Sequence, residues 1–414
     1  MPERFIPRGV HGLVLEALAD TRVVVILGAR QVGKSTLVGQ IAREDRPAKV
    51  FTLDDHETRV AATEDPTGFI ASLTPPVVVD EIQHSPELLL AIKARVDRDP
   101  SAGQFLLTGS ANLLTAPRIA DALTGRAEYL RLLPFSQGEL RQTRETFIPT
   151  LFEGKWPHVY DAPVGRAAYT DLIVAGGYPT AVERSPARRT RFFESYIETI
   201  IQRDLSTLAQ LHDQANVRKL LIALGTISGS LTNYDGLARD LSVAPNTLRA
   251  HTSLLEALFL VTRIEAWSSN LLSRVVKTPK LYVADTGLLA YLTGADAARL
   301  TDDGQLAGAF FETFVVNELR RQSSWEEDSP RQYHYRDRDG REVDVVLERR
   351  DGSVVGIEVK TAASIASSDF RGLRHLRDKL GTRFKMGVVI YTGANALPFG
   401  DRLAAVPLCG MWTH

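Results

Sequence analysis

Gly28-Ala29-Arg30-Gln31-Val32-Gly33-Lys34-Ser35-Thr36 follows an apolar run, Val23 to Leu27, and leads into Leu37-Val38-Gly39-Gln40-Ile41-Ala42. The order reads as strand, glycine loop and helix, which is the context a phosphate-binding loop requires. Gly28 and Gly33 let the backbone turn tightly with no Cβ between its N–H groups and an anion, and the helix adds the positive end of its dipole. Ala29, Arg30, Gln31, Val32 and Thr36 complete the cradle. Lys34 is expected to reach the β- and γ-phosphates of ATP, and the Ser35 hydroxyl to ligate Mg²⁺.

Downstream, Pro76-Val77-Val78-Val79-Asp80-Glu81-Ile82-Gln83 is an apolar strand ending in two acids. In a parallel sheet the carboxyl ends of the strands converge on the ligand crevice, so Asp80 is expected beside the glycine loop, holding the Mg²⁺ shell. Glu81 is then placed to orient or deprotonate the attacking water. A further buried strand, Gln104 to Thr108, ends in Gly109-Ser110-Ala111-Asn112, where Ser110 and Asn112 either sense the γ-phosphate or form a hydrogen-bonded turn. Arg126, in Leu123-Thr124-Gly125-Arg126, is a candidate arginine finger reaching across a subunit boundary in a homo-oligomer, with Arg203 as a rival.

A separate constellation lies near the carboxyl terminus. Asp344 falls within a strand, Glu342 to Glu348; Arg349-Arg350-Asp351-Gly352 turns the chain, and Val354 to Lys360 returns. Side chains alternate along a strand, so Glu358 and Lys360 share one face. Asp344 and Glu358 together offer oxygen ligands for Mg²⁺, with Lys360 helping to activate water on a phosphodiester.

The elements that must position these groups are an α/β core and helical units. Strands alternating with helices from residue 9 onward argue for a parallel sheet with helices on both faces, over residues 1–145. Residues 146–212 read as a linker and helical lid: 140–164 carry Pro149, Gly154, Pro157 and Pro163 without periodicity, which suggests a linker or mobile flap, and helical spacing resumes at Ala167 to Ala175 and from about Arg188 to Leu211. Within 213–300, Leu237 to Leu241 and Pro245 onward read as two helices around a tight turn. Leu248, Leu255 and Phe259 share one face, leaving Asn246, Thr247, Arg249 and Ser253 outward. Strand-like pieces Val261 to Trp267 and Lys280 to Ala284, joined by a loop with Arg274 and Lys277, could form a wing. Such a winged helix contacts either DNA or protein. Residues 301–414 form the last unit.

At 414 residues, with 44% hydrophobic and 24% charged, the chain is long enough for two or three domains with cores of their own. No apolar run approaches the eighteen or so residues of a membrane span, and Met1 to Pro7 is too polar for a secretory segment. A single cysteine, Cys409, excludes intrachain disulfides and cysteine-rich zinc sites, and a reducing cytoplasm is the simplest expectation. The net charge of −1 gives no global attraction to nucleic acid, so any DNA contact must come from a local patch.

The loop Gly28 to Thr36, Val77 to Gln83, Thr108-Gly109-Ser110, Thr124-Gly125-Arg126, Pro134-Phe135-Ser136 with Glu139, Gly176-Gly177-Tyr178-Pro179, Lys280 to Gly287, and Glu342-Val343-Asp344 with Glu358-Val359-Lys360 together resemble prokaryotic AAA-type ATPases that carry a C-terminal domain of unknown function. The resemblance covers nearly the whole chain. It implies an ATP-binding AAA module, a winged helix and a terminal α/β domain resembling restriction endonucleases. The terminal constellation resembles the PD-(D/E)XK nucleases, with Glu312 matching their first-helix acid, so Glu312, Asp344 and Glu358 become the implied metal ligands. Glu342-Val343 stands where the family carries a proline before the aspartate. Such a domain either cleaves DNA or keeps its shape only to grip it. Three functions follow: a Mg²⁺-dependent ATPase repositioning DNA-binding units, an ATP-gated nuclease, or a nucleotide-dependent scaffold with negligible turnover.

Overall fold

The computed structural model describes residues 5–110, 123–162, 164–204, 214–270, 274 and 277–413; the candidate Asn112 lies outside them. Val23–Leu27 (β1) is buried at every position, as an unbroken apolar run requires of a strand covered on both faces. It joins Lys49–Thr52 (β2), Val77–Asp80 (β3), Phe105–Gly109 (β4) and Ala127–Arg131 (β5) in a five-stranded sheet of order β2-β3-β4-β1-β5. Every pairing within it is parallel. Alternation along β1 divides the packing: Val24 and Ile26 meet the helices His11–Asp20 and Lys34–Glu44, while Val23, Val25 and Leu27 meet Pro66–Ser72 and Leu88–Arg98. The expected α/β core is therefore present. Its loop helix begins at Lys34, so Lys34, Ser35 and Thr36 occupy the first turn.

Residues 140–164 are not a free flap. Phe147–Phe152 is a helix whose Phe147, Ile148, Leu151 and Phe152 are buried. Four apolar side chains in six positions had a core to enter, and Pro149 sits in the first turn, where its missing N–H costs no intrahelical bond. The expected helix from 188 to 211 runs as Pro186–Thr199 and then widens into a π turn, Ile200–Asp204; residues 205–211 lie outside those described. Tyr234–Leu241 and Pro245–Ala257 form the two expected helices, with Ser242 in the left-handed region (φ 54°) where the chain turns between them.

Val261–Ala266 (β6) and Lys280–Val283 (β7) pair antiparallel. They do not stand alone. With Arg331–Arg336 (β8), Glu342–Glu348 (β9), Val354–Val359 (β10), Phe384–Tyr391 (β11), Leu397–Pro398 (β12) and Leu403–Pro407 (β13) they make an eight-stranded mixed sheet of order β12-β13-β11-β10-β9-β8-β6-β7. The expected boundary at residue 300 thus crosses one sheet, joined where Glu265 and Ala266 of β6 meet Tyr333 and His334 of β8. An open edge of the two-stranded ribbon is covered this way. The helix Gly304–Ser323 is buried on several sides, because it packs among all the units rather than on one. Among the described residues no helix is long and apolar enough to cross a membrane.

Candidate nucleotide-binding site and acidic cluster

Gly33 (φ 96°) and Gln31 (φ 61°) take left-handed conformations that curl the loop over the amino end of Lys34–Glu44. The Lys34 ammonium is buried in the centre of that curl, donating to the carbonyls of Gly28 (3.2 Å) and Ala29 (3.0 Å). Gly28 itself is required, since a Cβ there would run into the Leu132 carbonyl. The Ser35 hydroxyl donates to Asp80 Oδ1 (3.2 Å), and Thr108 donates to the same oxygen. Hydroxyl and carboxylate oxygen side by side are the hard donor set that suits Mg²⁺. Parallel pairing put them there, by ending β3 and β4 beside the loop.

Glu81 is held in the left-handed region (φ 58°), its N–H donating to Thr108 Oγ1 (2.9 Å). Its carboxylate accepts from Gln83 Nε2, and Gln83 Oε1 accepts from the Ser110 N–H (3.1 Å). Gln83 therefore ties the two residues expected to handle water and γ-phosphate. Ser110 Oγ is buried with no partner among the described residues. Arg126 is not in this group. It precedes β5, at the amino end of the sheet opposite the loop, and its guanidinium clasps Asp97. Arg203 is exposed in the π turn.

Several motifs without an evident chemical task meet in one buried polar network. Arg8 donates to Val32 O of the loop (2.8 Å) and to Glu139 Oε1 (2.9 Å), and Glu139 Oε2 accepts from the Ser136 N–H (2.9 Å). The Ser136 hydroxyl donates to Glu145 (2.6 Å), which also accepts from Gln322 (3.0 Å) on the helix Gly304–Ser323. On that helix Glu318 takes the Gln137 N–H (2.9 Å), and Arg321 bridges Glu318 (2.5 Å) and Asp285 (3.0 Å). Asp285 in turn takes the Gly177 N–H (2.7 Å), which only a glycine permits because a Cβ would strike Phe135 O. Burial first, then the neighbouring Glu318, pushes the Glu145 carboxyl up to about 8. Arg8, Glu145 and the Glu318–Arg321 pair of one helical turn are far apart in sequence, and no local pattern marked them.

The strands β9 and β10 do bring Asp344, Glu358 and Lys360 together. Asp344 Oδ2 accepts from the Val359 N–H (2.9 Å), and Lys360 donates to Glu358 Oε1 (2.8 Å). Burial, then Glu358 and Glu312, raise the Asp344 carboxyl well above its usual range; burial likewise raises Glu358, against the opposing pull of Lys360. Glu358 Oε2 is buried without a partner among the described residues. Glu312, expected as a metal ligand, is committed otherwise: its Oε1 accepts from Lys280 (2.8 Å) and Tyr282 (2.6 Å). Lys280, from β7, also lies 3.0 Å from Glu342 and 4.0 Å from Asp344. A second ammonium, that of Lys280, thus sits among the acids, where sequence reasoning put a metal and Lys360. Among the described residues no group of three or more His, Cys, Asp or Glu side chains is disposed to hold a metal ion.

Asn246, Thr247 and Arg249 are exposed on the first turns of Pro245–Ala257. Arg249 lies over the Tyr234 ring (4.4 Å) and, with exposed Lys277, lines one recess of about 550 Å³. Arg274, expected beside them, instead pairs with Glu348 (2.5 Å).

Residues 20–141 match the family described as "AAA domain". This segment is an AAA-type P-loop domain. Residues 166–299 and 307–410 match two domains of unknown function, DUF8612 and DUF4143. Uncharacterised proteins of Mycobacterium bovis and Mycobacterium tuberculosis are each 28% identical over 395 residues, 94% of this chain and 81% of theirs. Among solved structures, a Walker-type ATPase of Pyrococcus abyssi is 17% identical with a TM-score of 0.40, covering 70% of this chain and 97% of its own. The RuvB Holliday junction branch migration motor of Thermotoga maritima is 20% identical with a TM-score of 0.31, covering 63% and 90%.

Proposed function

We propose that the chain is a Mg²⁺-dependent ATPase that couples its nucleotide state to DNA held by a winged helix and a nuclease-like domain. The observation that carries this reading is the convergence of buried Lys34, the Ser35–Asp80 pair and the Glu81–Gln83–Ser110 chain on one loop. Lys34 and the loop N–H groups grip the phosphates, and Ser35 and Asp80 hold Mg²⁺, which supplies charge neutralisation when bound. Glu81 orients the water, with Gln83 fixing its carboxylate against Ser110. The polar network from Arg8 to Arg321 supports the coupling, since it touches the loop at one end and the C-terminal helix at the other. Asn246, Thr247, Arg249 and Lys277 are assigned to DNA, the first two and Arg249 on an exposed helix start of the kind that enters a major groove.

The test is steady-state ATP hydrolysis with and without duplex DNA. Glu81→Gln should abolish turnover in both conditions while the parent is stimulated by DNA; equal turnover by parent and variant would sink the site assignment.

A second reading, an ATP-gated nuclease, is favoured by the unpartnered Glu358 Oε2 and by the Asp344 carboxyl that burial and Glu358 raise, because a cation would relieve both. Asp344 and Glu358 would hold that cation and Lys360 would steady charge on the phosphodiester. Mn²⁺-dependent cutting of duplex or branched DNA, lost in Asp344→Asn with ATP turnover retained, supports it. Uncut DNA makes the domain a binding module.

A further inference from the structure

The phosphate-loop sheet, the strand β6 and the helix Gly304–Ser323 enclose a cavity of about 630 Å³ that none of the chemistry above uses. Strand order sets β5 beyond β1 from β3, so this cavity lies on the side of the loop away from Asp80; of the loop residues, Ala29 forms part of its wall. Leu132, Phe259, Val261 and Ile264 give it apolar surfaces. Its volume falls in the range of small-ligand pockets, roughly 300–1,000 Å³.

Four arginines line it against one carboxylate, Glu256. Two are neutralised, Arg263 by Glu256 and Arg321 by Glu318 and Asp285. Arg131 and Arg320 have no carboxylate among the described residues. Arg320 gives one N–H to the Thr262 hydroxyl, out of the five that a guanidinium carries. Burial, then the positive Arg131 and Arg321, lowers its pKa to about 10. Beside these cations, Asn317, Gln332 and Ser323 line the same cavity, and Asn317 Oδ1, Gln332 Oε1 and Ser323 Oγ are buried without partners among the described residues. A guanidinium pair wants an anion, and the amide oxygens want donors.

We propose that this cavity binds a small organic phosphate, its phosphate held by Arg320 and Arg131 and its hydroxyl or amino groups donating to Asn317 Oδ1 and Gln332 Oε1. Phosphate is preferred to a lone carboxylate because its three free oxygens serve two guanidinium forks at once, whereas a carboxylate fills one. A concave pocket of this size takes a small molecule in preference to the backbone of a duplex.

The experiment is titration calorimetry of the full chain carrying Lys34→Ala, so that the loop does not compete, with ribose 5-phosphate, AMP and inorganic phosphate. Ribose 5-phosphate and AMP should bind more tightly than inorganic phosphate, and Arg320→Gln or Arg131→Gln should weaken them at least about tenfold. Arg131 is exposed, so its variant keeps the test open if the Arg320 variant fails to fold. Absence of binding at millimolar concentration, or equal binding by parent and both variants, overturns the proposal and leaves a cavity filled by water. Displacement of AMP by duplex DNA overturns it in favour of a nucleic-acid contact.

Discussion

Replacing Lys280 with methionine removes the ammonium from Glu312, Glu342 and Asp344 while keeping the length of the stem. The three separations are 2.8, 3.0 and 4.0 Å, and the Lys280 side chain is 5% exposed. At an effective dielectric near 20 each is worth roughly 4–6 kcal/mol before desolvation, which cancels most of it. Stripping one partner from a buried ionic group leaves the other charges unpaired, at about 3–5 kcal/mol. For a unit of this size that is a fall in Tm on the order of 10 °C. The loss must depend on pH. Asp344 already titrates well above the usual carboxylate range, so its folded form binds more protons than the unfolded chain and its burial destabilises less as pH falls. Without Lys280, which opposes that rise, Asp344 is driven higher still, so the penalty of Lys280→Met should shrink between pH 8 and pH 5. Thermal unfolding of parent and variant at both pH values is the assay. An unchanged Tm at pH 8, or a penalty that is the same at both, refutes the idea that Lys280 is the internal cation of this cluster.

Glu145 gives a second pH test. Its folded pKa of about 8 lies above the ordinary 4.5, so parent stability should fall as pH rises from about 4.5 to about 8, and Glu145→Gln should gain about 5 kcal/mol relative to the parent over that window in urea unfolding. Parallel pH profiles of the two proteins would contradict it. Combined Arg249→Ala and Lys277→Ala should weaken duplex binding and reduce the salt slope by about 2, one for each phosphate no longer neutralised; an unchanged slope would make that face a protein-binding surface.

The arrangement around the phosphate-binding loop was legible because its signals are local. Gly28, Gly33, Lys34, Ser35 and the Asp80-Glu81 pair sit at fixed spacings beside strands whose apolar runs announce burial. The terminal Asp344, Glu358 and Lys360 were legible for the same reason, since two strands and one tight hairpin carry them all. What escaped is what needs tertiary distance. Lys280 enters the acidic cluster from a strand more than sixty residues before Asp344, and Gln83 gains its meaning only from Ser110, just past the end of β4. The place of Arg126 was not legible either, because sequence gives no end to a strand: its register at the amino edge of β5 sets it against Asp97, away from the loop of its own chain. The segment around Phe147 misled because Pro149 and Gly154 were read as breakers, when Phe147, Ile148, Leu151 and Phe152 around Pro149 had a partner surface to cover.

The central claim is that Lys34, Ser35 and Asp80 form a working nucleotide site, and the direct test is equilibrium binding of ATP to the full chain with and without Mg²⁺. Parent and Glu81→Gln should bind ATP tightly in Mg²⁺, Asp80→Asn should lose most of the Mg²⁺ dependence, and Lys34→Ala should show no tight binding. Undiminished binding by Lys34→Ala would contradict the account.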